Sequence, residues 1–164
     1  GERWDAGITY GMFLPTGDFD ANDPSSLGRG HLTHLLAFGG SVFLDSEKTW
    51  SAAMANRFEF HDHNDDSHIT AGTHFSMEWS ISKKLPDLWE VGLVGTITQK
   101  IQDDSGSGVS YNPGIHDRVY SAGLELTKIF SNVGLQCSVR WFHEFEAEAR
   151  PQGDAVWLSL TKFW

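Results

Sequence analysis

The sequence predicts an all-β protein, an antiparallel up-and-down transmembrane β-barrel with about eight strands in this chain. Three observations carry that prediction. Apolar and polar residues alternate along segments of roughly ten residues, longer than most globular strands and matched to a tilted bilayer crossing. The connections between segments alternate between long, acidic or Gly-rich loops and short turns, the layout of bacterial outer-membrane barrels. Trp4, Trp50, Trp79, Trp89 and Trp164, out of seven tryptophans in the chain, fall on the apolar faces toward the short turns, as an interfacial aromatic girdle would.

Each strand can be followed in turn. In "RWDAGITYGMFL" Trp4, Ala6, Ile8, Tyr10, Met12 and Leu14 oppose Asp5, Gly7, Thr9 and Gly11. "GHLTHLLAFGGSVFL" is weaker, with Leu32, Leu36, Phe38, Val42 and Leu44 on one face and His34 intruding. "WSAAMANRFEF" sets Trp50, Ala52, Met54, Phe58 and Phe60 against Ser51, Arg57 and Glu59. "ITAGTHFSMEWSI" runs cleanly from Ile69 through Phe75, Met77 and Trp79 to Ile81. "WEVGLVGTITQKI", "VYSAGLELTKIF" and "VGLQCSVRWFHEF" repeat the alternation, and "DAVWLSLTKFW" ends it with Val156, Leu158, Leu160 and Trp164 on one face. Lys162 interrupts that last comb near its end, where a long side chain can snorkel to headgroups. The long loops are "PTGDFDANDPSSLGRG", "HDHNDDSH", "DDSGSGVSYNPGIHD" and "EARPQGD"; the short ones are "DSEKT", "KKLPD" and "FSN".

Composition agrees. The 164 residues suit a single domain spanning 1–164, and the formal charge of -10 argues against nucleic acid as a partner. Mean hydropathy is -0.32, too polar for a helical membrane protein, but alternating strands escape that test because their two faces cancel. Cys137 is the sole cysteine, which excludes an intrachain disulfide. The chain opens on "GERWDAG" without an initiator Met or a signal peptide, which predicts a processed chain or a fragment. The competing fold, a soluble lipocalin-like barrel, shows the same periodicity with its large apolar residues turned inward.

"SSLGRGHLTH", "QDDSGSG", "DRVYSAG" and above all "RWFHEFEAEARPQGDAVWLSL" resemble the outer-membrane β-barrel family assigned to the meta-pathway of phenol degradation, in matching order along essentially the whole chain. The resemblance implies a bacterial outer membrane and passive uptake of small hydrophobic or aromatic compounds. Family members are longer, so it also implies that this chain corresponds to their C-terminal majority. A missing N-terminal segment or a second chain would then complete a larger barrel. An eight-stranded barrel has an interior only just wide enough for its own side chains. The alternative is therefore a non-conducting barrel with a structural or surface-binding role through its external loops. The closing "DAVWLSLTKFW" resembles the terminal signal read by the barrel-assembly machinery, a further expected partner beside the lipid bilayer.

Alternation places Arg57, Glu59, His74, Glu78, Lys100, Glu125, Arg140 and Glu144 on the lumen face, together with Glu146. These groups could line a polar path or orient a phenolic hydroxyl, with Arg57, Arg140 and Glu144 the first to test. The simpler expectation is that most of them pair with one another, because an unpaired buried charge is expensive. "HDHNDDSH" offers Asp62, Asp65 and Asp66 as weak oxygen ligands for Ca²⁺, or its three imidazoles for a transition metal, but the pattern is loose and no metal or other cofactor is expected. "DDSGSG" opens no helix and lacks a following Lys-Ser or Lys-Thr, so it reads as a flexible external loop rather than a nucleotide cradle. His143 falls on the opposite face from Ser138 and Glu144, so these three form no catalytic triad and no enzyme is expected. In "EARPQGD" Pro151 and Gly153 shape a turn, and Arg150 is expected to pair with Glu148 or Asp154 as a clasp at the rim.

Overall fold

Residues 3–21, 23 and 25–164 are described by a computed structural model of the chain. Of the segments read above, Gly1 and Glu2 at the start and Asn22 and Pro24 in the first long loop lie outside the described residues. Eight strands follow in order: β1 Trp4–Phe13, β2 Thr33–Phe43, β3 Trp50–His61, β4 His74–Leu85, β5 Trp89–Lys100, β6 Arg118–Phe130, β7 Leu135–Glu148 and β8 Asp154–Lys162. They form one eight-stranded sheet in which every strand pairs with its sequence neighbour. All pairings are antiparallel, as short hairpin turns and returning long loops require. The sheet is open, with β1 and β8 at its two edges.

Register keeps an outer, mostly apolar face apart from an inner, mostly polar one. One row runs Ile8, Phe38 and Asn56 to Met77, Ile97, Tyr120 and Phe145. The adjacent row runs Gly7, Gly39, Ala55, Glu78, Thr96, Ser121 and Glu144. A one-residue slip in any strand would exchange these faces, so the alternation fixes the register. Arg140 and Phe142 of β7 line the same cavity as Gly7 and Thr9 of β1, so the sheet curls about its polar face.

The distribution of burial is inside out for a protein with an apolar core. The only buried hydrophobics among the described residues are Val94 and Val119, and both sit on the polar face. Thr33, Lys100, Ser121, Thr127 and Ser138 are buried instead. Ile8 is 74% exposed, Val156 70% and Leu158 66%, all on the convex apolar face.

The turns follow local chemistry. Asp45 closes the β2–β3 turn by accepting the backbone N–H groups of Thr49 and Trp50 at 2.8 and 2.9 Å. Pro86 opens the single 3-10 turn between β4 and β5, where its missing N–H costs nothing. The β6–β7 register shifts between Arg118 and Tyr120, opposite a bulge where Glu146 has φ 54. Glu146 is therefore exposed at a bulge rather than continuing the inward row of charges.

Three expectations need correction. The fourth strand begins at His74, not Ile69. Upstream, Asn64 bridges Ile69 and Thr70 bridges Ser105, so this backbone is spent on loop pairing. The same strand continues through Lys83 and Lys84 to Leu85, which the sequence assigned to the turn. Trp79 consequently lies in mid-strand and is not one of the tryptophans at the short-turn end. It pairs across to Met54 and Gly95, and a Cβ added at Gly95 would come within 2.5 Å of the Trp79 ring. The indole occupies the space that the glycine leaves open.

Candidate functional site

The concave polar face borders an open cavity of about 510 Å³. Its wall on β1–β3 is built from Gly7, Thr9, Ala37, Gly39, Ser41, Ala53 and Ala55, whose small side chains hold the lumen open. Opposite them stand Glu78, Val94, Thr96, Arg140 and Phe142. The cavity is therefore amphipathic, with small apolar footholds beside one carboxylate and one guanidinium, the usual composition of a small-molecule site. Arg140 Nε donates to the Glu125 carboxylate, which lies beside it on β6. Glu78 has no polar partner among the described residues and is exposed to the cavity.

Toward the long loops the polar face becomes a charge lattice. Glu59 lies 3.6 Å from Arg29 and 3.4 Å from Arg57, and so binds both guanidinium groups. His74 Nε2 is 3.3 Å from Asp117, which also accepts from Arg150 at 3.3 Å. On the opposite face, which carries Tyr120 and Gln99, Arg118 pairs with Glu148 at 3.3 Å. Arg150 thus reaches Asp117 across the mouth, not Glu148 or Asp154 as its position in the turn suggested; Asp154 faces His143 at 3.2 Å instead. Glu144 accepts the N–H of Gly153 at 3.0 Å and holds the β7–β8 turn.

Lys100 belongs to the most completely satisfied of these groups. Its ammonium lies 2.7 Å from Asp104, and the two side chains are only 8% and 12% exposed. Asp104 also accepts the Gly72 N–H and the Tyr111 hydroxyl, each at 2.7 Å. Burial alone would raise the Asp104 carboxyl, but the bonds from Lys100, Gly72 and Tyr111 outweigh it and hold the group below the ordinary carboxylate range. Burial and the bond to Asp104 push the Tyr111 phenol up to about 12. This clasp joins two long loops. Thr70 and Ser105 exchange backbone bonds at 2.7 and 3.0 Å, and Thr73 Oγ1 donates to Gln102 at 2.7 Å. "DDSGSG" is accordingly a docked loop rather than a free one. Gly72 must be glycine here, since a Cβ would sit 1.8 Å from the Gln102 carbonyl oxygen.

Asp62, Asp65 and Asp66 do not converge: among the described residues no three His, Cys, Asp or Glu side chains are arranged to hold a metal ion. Asn64 caps that loop through the N–H groups of Asp66 and Ser67, both at 3.0 Å. Ser138 bonds Thr127 at 2.7 Å, on the opposite face from His143, so Ser138, His143 and Glu144 stay apart. At the short-turn end, Lys83 stands 5.0 Å over the Trp50 ring, Lys128 4.9 Å over Trp89 and Lys162 5.3 Å over Trp164. Sequence reasoning missed Asp104, Asp117 and His31, and it placed His61 in the loop "HDHNDDSH", whereas His61 ends β3 and continues the odd-numbered inward row of Arg57 and Glu59.

A family model described as "Putative MetA-pathway of phenol degradation" matches residues 1–160, and the chain belongs to that family. No curated protein and no solved structure matches it.

Proposed function

We propose, for a chain of this family, that it is a β-barrel wall of a bacterial outer membrane that lets small hydrophobic or aromatic compounds pass by diffusion. The inverted burial carries this reading. A sheet whose convex face exposes Ile8, Leu93, Leu124, Val156, Leu158 and Leu160, while its concave face buries Thr, Ser and Lys, suits lipid outside and a polar path inside. Trp4, Trp50, Trp89 and Trp164 then mark one membrane interface, their lysine neighbours snorkelling to headgroups. A solute would cross along the wall of small residues, meeting Glu78 and Arg140 as polar waypoints for a hydroxyl. No covalent chemistry or energy coupling is involved. In lipid an unpaired strand edge is not tolerated, so this reading requires the β1 and β8 edges to be paired in the membrane. The bilayer and the barrel-assembly machinery would be its partners.

A second reading, a non-conducting barrel that binds through its external loops, is favoured by the clasp at Asp104, which builds a rigid surface from two long loops. Solute entry separates the two. The chain is reconstituted in liposomes and phenol entry is compared with protein-free vesicles, with a heat-denatured control and with Ala55→Trp. Ala55 faces the cavity, and an indole there would fill much of it. Faster entry that Ala55→Trp abolishes supports the channel. Entry no faster than through protein-free vesicles, from a chain of verified β-structure, overturns it.

A further inference from the structure

We propose that His31, His61 and His74 form a binding site for a divalent transition-metal ion at the long-loop mouth of the polar face. The three imidazoles come from separate stretches: the segment before β2, the end of β3 and the start of β4. They stand in an unbroken edge-to-face series, His31 to His61 at 5.3 Å and His61 to His74 at 5.7 Å between ring centroids. Both ring nitrogens of His31 and Nε2 of His61 are buried with no hydrogen-bond partner. A buried polar atom left unpaired is costly, and three at one place call for a common partner.

The unengaged atoms are the ones a metal would use. A metal-bound imidazole is characteristically held through its other nitrogen by an outer partner. His61 Nδ1 is held by Thr33 Oγ1 at 3.0 Å, leaving Nε2 free, and Thr33 is fully buried. His74 Nε2 is held by Asp117 at 3.3 Å, leaving Nδ1. His31 has both nitrogens to offer. Two imidazoles bound tetrahedrally at metal–nitrogen distances of about 2 Å place their centroids about 5 Å apart, close to the spacing seen.

The site is not closed as it stands, for no three ligands already surround one point. An ion would gather them mainly by turning His31, which no hydrogen bond of its ring restrains. Arg29 opposes a cation here, and Glu59, which it shares with Arg57, offsets only part of that charge. Imidazole donors select zinc, cobalt, nickel or copper over calcium and magnesium. The enclosure of the nitrogens favours a bare ion over an aromatic molecule. This inference stands whether or not the lumen conducts solutes.

The test uses the full chain in detergent, stripped with chelator and titrated with Co²⁺, whose visible absorption reports imidazole ligation and whose displacement by Zn²⁺ reports reversibility. His31→Gln should weaken binding at least about tenfold, and since its ring makes no hydrogen bonds the variant tests ligation with little cost to the fold. Thr33→Val should weaken binding about tenfold through the loss of orientation alone. A His63→Gln/His68→Gln double variant, which removes the exposed stacked pair in the neighbouring loop, should bind as the wild type. Absence of a Co²⁺ spectrum, binding unchanged in His31→Gln, or binding lost in the His63/His68 variant would overturn the proposal.

Discussion

Replacing Asp104 by alanine removes the shared acceptor of three donors at once. Lys100, 8% exposed, would be left as a charge without its partner, and the Gly72 N–H and Tyr111 hydroxyl would lose theirs. Breaking a buried pair from one side costs about 3–5 kcal/mol. Asp104 lies at the rim and water can enter where the carboxylate stood, which argues for the lower end, about 3 kcal/mol. The loss should appear as local opening of the docked loops, because the strands keep all their ladder bonds. The assay is amide hydrogen exchange at Thr70 and Ser105, whose mutual bonds join the loops. At about 1.4 kcal/mol per tenfold, protection there should fall roughly a hundredfold while mid-strand amides hold. Asp103→Ala is the control, since Asp103 is 61% exposed and its bond to His116 at 2.6 Å is a surface pair worth about 1 kcal/mol or less. Equal protection in Asp104→Ala and Asp103→Ala would refute the reasoning that burial makes this clasp.

The same clasp has a pH signature. Tyr111 is raised from 10.0 to about 12 in the folded state, so its contribution is fully present below 10 and lost as pH rises through 12; Thr70 and Ser105 should lose protection across that window. Asp104 is depressed below 3.8, so its contribution is present above that value and lost as pH falls through the folded one, giving a second, acidic opening. Gly95→Val should displace the Trp79 indole, cost about 1–3 kcal/mol in denaturant unfolding and shift the tryptophan emission; an unchanged emission maximum would contradict the packing described. Arg140→Ala should slow phenol entry in the liposome assay, provided Ala55→Trp also slows it, because it removes a polar waypoint; unchanged or faster entry would confine Arg140 to its pairing with Glu125.

Strand number, face assignment and pairing partners were legible because alternation is a local signal that eight antiparallel neighbours reinforce. Even the weak second strand, with His34 intruding, falls in register opposite Met12 and Phe60. What alternation could not reveal lies where the backbone finds partners far away in sequence. "ITAGTHFSMEWSI" alternates from Ile69, yet Thr70 bonds Ser105, so the pattern runs past the true strand start. The error in β4 displaced Trp79 as well, since its distance from the turn was measured along the wrong span. The charges on the polar face pair largely with one another, as the cost of burying them demands, but partner choice depends on loops folding back. Arg150 finds Asp117, and Asp104 finds Gly72, by contacts that spacing does not encode.

Lys48, Lys83, Lys84, Lys128 and Lys162 all stand at the short-turn end, and each lies over an aromatic ring. The acidity behind the net charge of -10 is weighted toward the other end, where Asp62, Asp65, Asp66, Asp103 and Asp154 occupy the long loops and their rims. Lengthwise the molecule is an electric dipole, its positive pole anchored to rings and its negative pole carried by loops. In any field along the strand axis, or beside a surface of fixed charge, its two orientations differ in energy. Salt would weaken that preference over a Debye length of about 8 Å at physiological ionic strength.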